Sequence, residues 1–319
     1  MKKQILISAV SIFIIVLTAG ILVAENSEAE RIDLKLRLKP GQKYGVRITA
    51  DYTQSQTIEG KQENYQNMAA WGVGFEVISV DANGVSSLKT TFRSVQTKMD
   101  GPMGRMEYDS NKKDKPAADN VLGQLFGSVV GESFVIKISS KPEIVELKGL
   151  KEVMNRVARK VAGYDESVKA LLNEGVIERM VSYMTIPFPK EPVAIGGSWT
   201  EKGSVPVIAV PHEIEQTFTL KERKKGMVIV DVNAKIIAPG DANYIDMGEG
   251  LKMSIRMGGT KHGITEIDEA SGWMIRSKEK MRLSGEMKVA PNKEMPEGVT
   301  VPMSVEGIIT IEPMEWMIR

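Results

Sequence analysis

The chain has 319 residues, with 42 basic against 41 acidic side chains, 2 histidines and no cysteine. Without cysteine it forms no disulfide, no thiolate metal or iron–sulfur site and no thiol nucleophile. Two histidines are too few for a three-histidine zinc site, and a net charge of +1 creates no field that would attract nucleic acid. With 42% hydrophobic and 26% charged residues, the composition is that of an ordinary globular protein.

The N-terminus carries the pattern of an export signal. Lys2 and Lys3 precede an uncharged stretch over residues 5–24, and a small-residue cleavage site predicts a mature chain that begins at Glu30. The stretch also reaches the length of about 20 residues that spans a bilayer, so an uncleaved anchor over residues 5–24 is the alternative. Both interpretations place the bulk of the chain outside the cytoplasm, in the periplasm or the extracellular space. Both limit membrane contact to this segment.

Alternating apolar residues predict long antiparallel strands before and after the middle of the chain. Residues 32–38 alternate strictly, and residues 71–80 and 85–95 flank an Asn-Gly turn that favours a hairpin. The same pattern returns over residues 228–236, directly after a Lys-Gly turn. Because the strands are one-sided and joined by tight turns, the pattern indicates a meandering antiparallel sheet.

Two stretches near the C-terminus interrupt the alternation. Ser277 and Glu279 occupy apolar positions of the strand pattern over residues 273–289. The residues 258–261, Gly-Gly-Thr-Lys, indicate a stretch rich in turns. The sequence assigns no function to either interruption.

The middle of the chain differs because its apolar residues follow helical spacing. Amphipathic helices are predicted over residues 149–161, near residues 168–172 and over residues 176–184, with a weaker one over residues 121–130. Prolines within residues 187–192 then prevent further helix. The order of strands, helices and strands indicates an α+β fold, in which half-barrel-like antiparallel β-meander sheets flank a central insert of short amphipathic helices.

These changes of pattern define four segments. Residues 1–29 are the signal peptide or N-terminal anchor, residues 30–148 a first β-rich half, residues 149–186 the central helical insert and residues 187–319 a second β-rich half. A similar hairpin pattern in the two halves is consistent with internal duplication. The alternative is that β-meanders resemble one another by pattern alone.

No residue pattern in the chain predicts catalysis or metal binding. His212 and His262 belong to no metal or catalytic motif, and the chain has neither a Gly-x-Ser-x-Gly elbow nor a phosphate-binding glycine loop. Acidic runs over residues 109–114 and 241–246 lack the glycine and the distal glutamate of a helix–loop–helix calcium site. The basic cluster over residues 221–225 indicates a solvated hairpin turn. We therefore predict a protein that is not an enzyme and has no metal, no cofactor and no nucleic-acid partner.

Several structural motifs of the chain resemble those of a protein family. Besides the export segment, they are Pro40-Gly41 before the first long strands and the residues 186–189, Ile-Pro-Phe-Pro, which run on to Gly197-Ser198-Trp199. With these motifs the chain resembles an uncharacterised family of exported bacterial proteins, a domain-of-unknown-function family, over roughly residues 34–312. The resemblance implies a secreted or envelope-associated β-rich protein and assigns no catalytic residue. The missing lipobox cysteine departs from the lipoproteins common among such exported chains.

Two functions remain after these exclusions, with a third that the sequence does not exclude. The first is a binding or carrier protein of the cell envelope with a groove for an apolar or lipid-like ligand. The alternative is a structural or protein-interaction component with a dry core, whose partner is an envelope protein, and the third is an enzyme with dispersed carboxylates. A cavity of about 300–1,000 Å³ would favour the first over the second.

Methionine-rich helix faces supply the candidate site residues. The chain contains 19 methionines, whose flexible side chains adapt to varied apolar ligands and also fill irregular cores. If a ligand groove exists, the helices are expected to form a lid over it. The candidate groove or lid residues are Val153, Met154, Val157, Met180 and Met184.

Overall fold

The computed structural model describes most of the chain from Glu30 onward. None of the described helices is long and apolar enough to cross a membrane. The predicted export segment over residues 1–29 lies outside the described residues, and so do residues 114 and 241–243 of the two acidic runs. The described residues are 30–58, 60–102, 104–112, 121–161, 163, 168, 172–207, 210–240, 244–246, 252–293 and 295–315.

The described strands form one antiparallel sheet. They are β1 (Lys43–Ile58), β2 (Lys61–Val80), β3 (Ser86–Gly101), β4 (Gly104–Asp109), β5 (Ser133–Ile138), β6 (Ile144–Lys148), β7 (Ser198–Val207), β8 (Val210–Lys224), β9 (Met227–Ile237), β10 (Ile245–Asp246), β11 (Lys252–Asp268), β12 (Met274–Val289) and β13 (Val299–Pro313).

The strand order brings the first and the last described strands together. The order is β6-β5-β3-β2-β1-β13-β12-β11-β9-β8-β7, with β4 beside β3 and β10 beside β11. Strand β13 pairs with β1 in the middle of the sheet. In the part of the chain that the structure describes, β6 and β7 remain the two edges, so the sheet is open.

Helices are few and short. Those described are α1 (Val121–Val129), α2 (Leu150–Lys160) and α3 (Glu174–Met184). The α+β prediction therefore needs correction, because the protein is more β-rich than that class. The central insert and the two halves are not confirmed as units, since α1 precedes β5 and β6 and the strands join a single sheet. The predicted helix near residues 168–172 lies mostly outside the described residues.

Strands extend through positions where the sequence suggested turns. Strand β11 runs unbroken through residues 258–261, which were predicted to be rich in turns. A Cβ atom at Gly259 would collide with the carbonyl oxygen of Arg282, and one at Gly285 with that of Arg256. These two glycines thus permit a close approach of β11 and β12, as happens where a sheet bends.

One face of the sheet, the inner face, carries two apolar clusters. The helix-covered cluster lies between the sheet and the helices, while no described helix contributes to the distal cluster. Representative members of the helix-covered cluster are Val46, Phe75, Ile136, Val153, Val157, Phe218 and Val230. Representative members of the distal cluster are Ile214, Ile236, Ile255, Met257, Leu283 and Met303.

Residues 30–38 form an extended strap beside the sheet. Alternate apolar side chains of the strap, from Ile32 to Leu38, are buried in the helix-covered cluster. Ile32 forms an isolated antiparallel bridge with Val193, and the N–H of Leu36 donates to the carbonyl of Ser140 at 2.8 Å. The predicted strand over residues 32–38 is therefore extended but does not join the sheet, because its backbone bonds go to separate loops.

Candidate ligand-binding cavity

A cavity of about 690 Å³ lies on the inner face, next to helix α3. Its walls come from strands β7 and β8, from the segment after α3, and from the loop between β5 and β6. The volume lies within the range of about 300–1,000 Å³ typical of small-molecule sites. The cavity thus has the size that favours a ligand-binding protein over a structural component with a dry core.

The segment after α3 is fixed by prolines and by a tryptophan. Helix α3 starts at its N-cap Asn173, whose side chain accepts a bond from the N–H of Val176 at 3.0 Å. Prolines at 187 and 189 keep the chain extended beyond the helix. The indole N–H of Trp199 donates to the carbonyl of Pro187 at 2.8 Å, which attaches this segment to β7.

Much of the cavity wall is apolar. Phe218 stacks on Trp199 with ring centroids 5.4 Å apart, so its position is defined by packing. Buried apolar side chains therefore form a fixed surface that a ligand can contact. The buried apolar residues of the wall are Val181, Ile186, Phe188, Ile214, Phe218 and Met274.

A polar row crosses the inner face at the cavity. The strand register aligns Glu201, Gln216, Ala234 and Lys261 on neighbouring strands, and the three polar members line the cavity together with Glu279. We call Glu201, Gln216, Lys261 and Glu279 the polar row. These groups offer hydrogen-bond donors and acceptors among apolar walls, as in sites that orient a ligand.

Lys261 and Glu279 form an ion pair within the polar row. The Nζ of Lys261 lies 2.7 Å from Oε2 of Glu279, and the side chains are only 15% and 10% exposed. Glu279 pairs in register with Gly263, where a Cβ atom would lie 2.8 Å from the Cγ of Glu279. Because glycine has no side chain, residue 263 leaves the space that the side chain of Glu279 occupies.

The five residues predicted from the sequence lie outside the cavity wall. Val153 and Val157 are completely buried, and Met184 is 3% exposed, all in the helix-covered cluster. Met154 and Met180 are partly buried against the same cluster. Helix α3 contributes to the cavity through other residues, among them Glu178 and Val181.

Sequence reasoning did not identify the polar row. A signal was present, because Ser277 and Glu279 interrupt an apolar alternation. Thr265 and Ser277 are buried, and their hydroxyl oxygens lie 3.1 Å apart in a hydrogen bond. The polar group of Ser277 therefore has its partner within the sheet. The other interruption, Glu279, faces the cavity.

The two histidines occupy separate structural positions. Nδ1 of the buried His212 lies 2.8 Å from the carbonyl of Val210, and its Nε2 accepts from the N–H of Met257 at 3.2 Å. His262 is exposed and its Nδ1 lies 2.8 Å from Oδ1 of Asn233. No group of three or more acidic or histidine side chains among the described residues is arranged to hold a metal ion.

A buried carboxylate attaches helix α2 to the sheet. Glu132, 10% exposed, accepts from the Nε of Arg156 and from the Nζ of Lys160, each at 2.8 Å. Burial raises the pKa of Glu132, but the hydrogen bonds and charges of Lys160 and Arg156 together outweigh it and leave the pKa below its ordinary value. Glu132 is therefore an anchor of the helix that covers the sheet and lies outside the cavity wall.

Comparison with solved structures shows low sequence identity. A structure described as lipid–protein interactions in lipovitellin is 10% identical over 88% of this chain, with a TM-score of 0.48. The chain spans 26% of the length of that lipovitellin chain. DynF from the dynemicin biosynthesis pathway of Micromonospora chersina is 7% identical, with a TM-score of 0.21 and coverage of 91% of this chain and 88% of its own.

A third solved structure is a DUF1329 family protein from Desulfovibrio piger. It is 7% identical, with a TM-score of 0.15, and the match covers 85% of this chain and 87% of that one. No curated protein matches the chain. The sequence model described as a family of unknown function, DUF6263, matches residues 83–274.

Proposed function

The chain belongs to the DUF6263 family of unknown function, which confirms the resemblance to an uncharacterised family, and we propose that it is a binding or carrier protein for an apolar or lipid-like molecule. The observation that carries the proposal is the cavity of about 690 Å³ on the inner face. We propose that it acts outside the cytoplasm and catalyses no reaction.

The chemistry of the cavity supports binding. Its wall combines buried apolar side chains with polar and charged groups, among them the polar row, and both kinds of contact serve to bind and orient a small molecule. Protein interiors are otherwise packed nearly as densely as organic crystals. A purely structural component, the alternative function, would gain stability by filling this space with side chains.

The polar groups support orientation of a ligand rather than its chemical conversion. Those of the polar row are the carboxylate of Glu201, the amide of Gln216 and the ion pair of Lys261 with Glu279. An amide and a paired ammonium hold a polar head in place through hydrogen bonds. We therefore assign this cavity a role in binding.

Native mass spectrometry tests the proposal on protein purified from its own cell envelope without detergent. We expect extra mass that organic solvent removes. A polypeptide mass alone would contradict the carrier function and favour the structural component. Intact mass of the denatured chain also tests export, since cleavage before Glu30 predicts a mature chain without residues 1–29.

A variant that fills the cavity provides the matched test. Val205 lines the cavity from β7, so Val205→Trp is expected to abolish most of the bound extra mass. Thr217→Trp is the control, because Thr217 is exposed on β8 and does not line the cavity. Equal ligand content in the two variants would place the ligand elsewhere on the protein.

A further inference from the structure

We propose that the ion pair of Lys261 with Glu279 is the head-group site of the cavity, and that the ligand is an amphiphile with an anionic head. The anion binds the unused donors of the Lys261 ammonium, which keeps its bond to Glu279, while the apolar tail lies along the cavity wall. This inference rests on the proposed function and names the class of ligand for the same cavity.

The ion pair has unused capacity towards the cavity. An ammonium group carries three donors, and among the described residues Lys261 contacts one acceptor, the carboxylate of Glu279. Both side chains line the cavity. A ligand can therefore reach the ammonium without displacing any other described side chain.

The surroundings of the pair make Lys261 the member that moves. Its neighbour in register on β9 is Ala234, which has a small side chain and no polar group that would hold the ammonium. Glu279 has the shorter stem and fits against Gly263 in the neighbouring strand. The long flexible stem of lysine can turn its ammonium towards a ligand while Glu279 stays in place.

Partial burial increases the selectivity for charge. With side chains 15% and 10% exposed, the pair lies where charges interact more strongly than in bulk water. An anionic head adds a second charge-assisted hydrogen bond to the ammonium of Lys261. A neutral head offers only weaker hydrogen bonds, and a cationic head has no acceptor for the donors of the ammonium.

The apolar part of the ligand has a defined place. Phe188, Ile214 and Phe218 are buried in the wall of the same cavity that Lys261 lines. Along β7 the cavity extends from Glu201 to Val205, which is roughly 13 Å at a rise of about 3.3 Å per residue. These dimensions suit the tail of a medium-length amphiphile.

Calorimetric titration of the mature chain with three probes tests the inference. The probes are dodecanoate, dodecanol and dodecylammonium, each below the concentration at which it self-associates. We expect dodecanoate to bind about tenfold or more tightly than dodecanol, since a hydrogen bond to a charged group is the stronger kind. Dodecylammonium should bind more weakly than either.

Two variants separate head-group recognition from binding of the tail. Lys261→Met keeps the stem and is expected to reduce dodecanoate affinity to the level of dodecanol. Glu279→Gln frees the ammonium and is expected to raise the affinity for dodecanoate several-fold relative to that for dodecanol. The double variant K261M/E279Q contains no unpaired charge, so it tests the loss of preference if the single variant fails to fold.

The outcomes distinguish the two proposals. If wild type binds none of the probes, the carrier function itself fails. If wild type binds all three and K261M/E279Q binds them with the same relative affinities, the carrier function stands and the head-group site is overturned. A preference of the wild type for dodecylammonium would overturn the anionic class.

Discussion

The helix-covered cluster and the distal cluster lie on the same face of one sheet, yet different elements enclose them. In the helix-covered cluster, α2 contributes Val153 and Val157, and Glu132 attaches that helix to the sheet. The distal cluster consists of strand residues, and Gly259 and Gly285 let its strands approach closely. The comparison shows that one alternating pattern can be buried either under an added layer of helices or among side chains of the strands alone.

The cavity lies where these two modes of coverage meet. Phe218 in its wall belongs to the helix-covered cluster, and Ile214, four residues before it on the same strand, belongs to the distal cluster. The polar row lies at the same place, including the pair of Lys261 with Glu279. A gap between two separately covered apolar surfaces therefore forms the cavity that we propose as a binding site.

The largest expected effect is loss of packing in the helix-covered cluster. Phe75 is 1% exposed and contacts Trp273 edge to face, with ring centroids 5.4 Å apart. We expect Phe75→Ala to lower the free energy of unfolding by about 3–5 kcal/mol, measured by urea denaturation. The control Met99→Ala, at a 40% exposed position, should stay within about 0.5 kcal/mol of wild type. A loss below about 1 kcal/mol at Phe75 would contradict close packing under the helices.

The close approach of β11 and β12 is tested at one glycine of the distal region. Gly259→Ala places a methyl group against the carbonyl of Arg282, and we expect a loss of about 1–3 kcal/mol in the free energy of unfolding. Gly240→Ala is the matched control, because a Cβ atom there meets nothing within 4 Å. Equal stability of the two variants would show that the close approach of the strands does not exclude a side chain at residue 259.

The anchor of α2 gives the smallest effect and a dependence on pH. Since the pKa of Glu132 is lowered on folding, its contribution is present above the ordinary value of 4.5 and is lost as the pH falls through the lowered value. Glu132→Gln should cost about 1 kcal/mol at neutral pH, because both partners are half exposed. Urea denaturation at several pH values should show wild type and variant converging in acid. A constant difference across that range would contradict the assignment.

Glu107→Gln is the control for this pH series. Glu107 pairs with Arg105 at 2.6 Å, but both side chains are about half exposed. Solvent screens such pairs, so we expect little change in the free energy of unfolding at any pH. A change as large as that of Glu132→Gln would mean that burial is not what distinguishes the anchor.

Part of this arrangement was predictable from local pattern. Alternation over residues 228–236 gave β9, and the amphipathic spacing over residues 149–161 coincides with α2. The continuity of β11 through residues 258–261 was missed, because glycine allows both a turn and a close strand contact. Pairing with β12 decides whether these glycines form a turn or a close strand contact.

The candidate site was less predictable than the fold. Helical spacing at Val153 and Val157 marks a buried face but does not distinguish a dry core from a ligand groove. The pairing of Lys261 with Glu279 depends on the register of β11 against β12, which local pattern does not specify. Glu279 stands out in the sequence because it interrupts an apolar alternation. Its partner Lys261 follows two glycines, in a stretch whose composition favours turns.

The pairing of β1 with β13 has a consequence for how the sheet assembles. Val46 lies opposite Pro313, so the central ladder joins residues from nearly opposite ends of the sequence. Contacts between distant residues require closure of long loops, which slows folding. The central ladder can form only after β13 has emerged from synthesis. Until then β1 presents an unpaired edge on the side opposite β2.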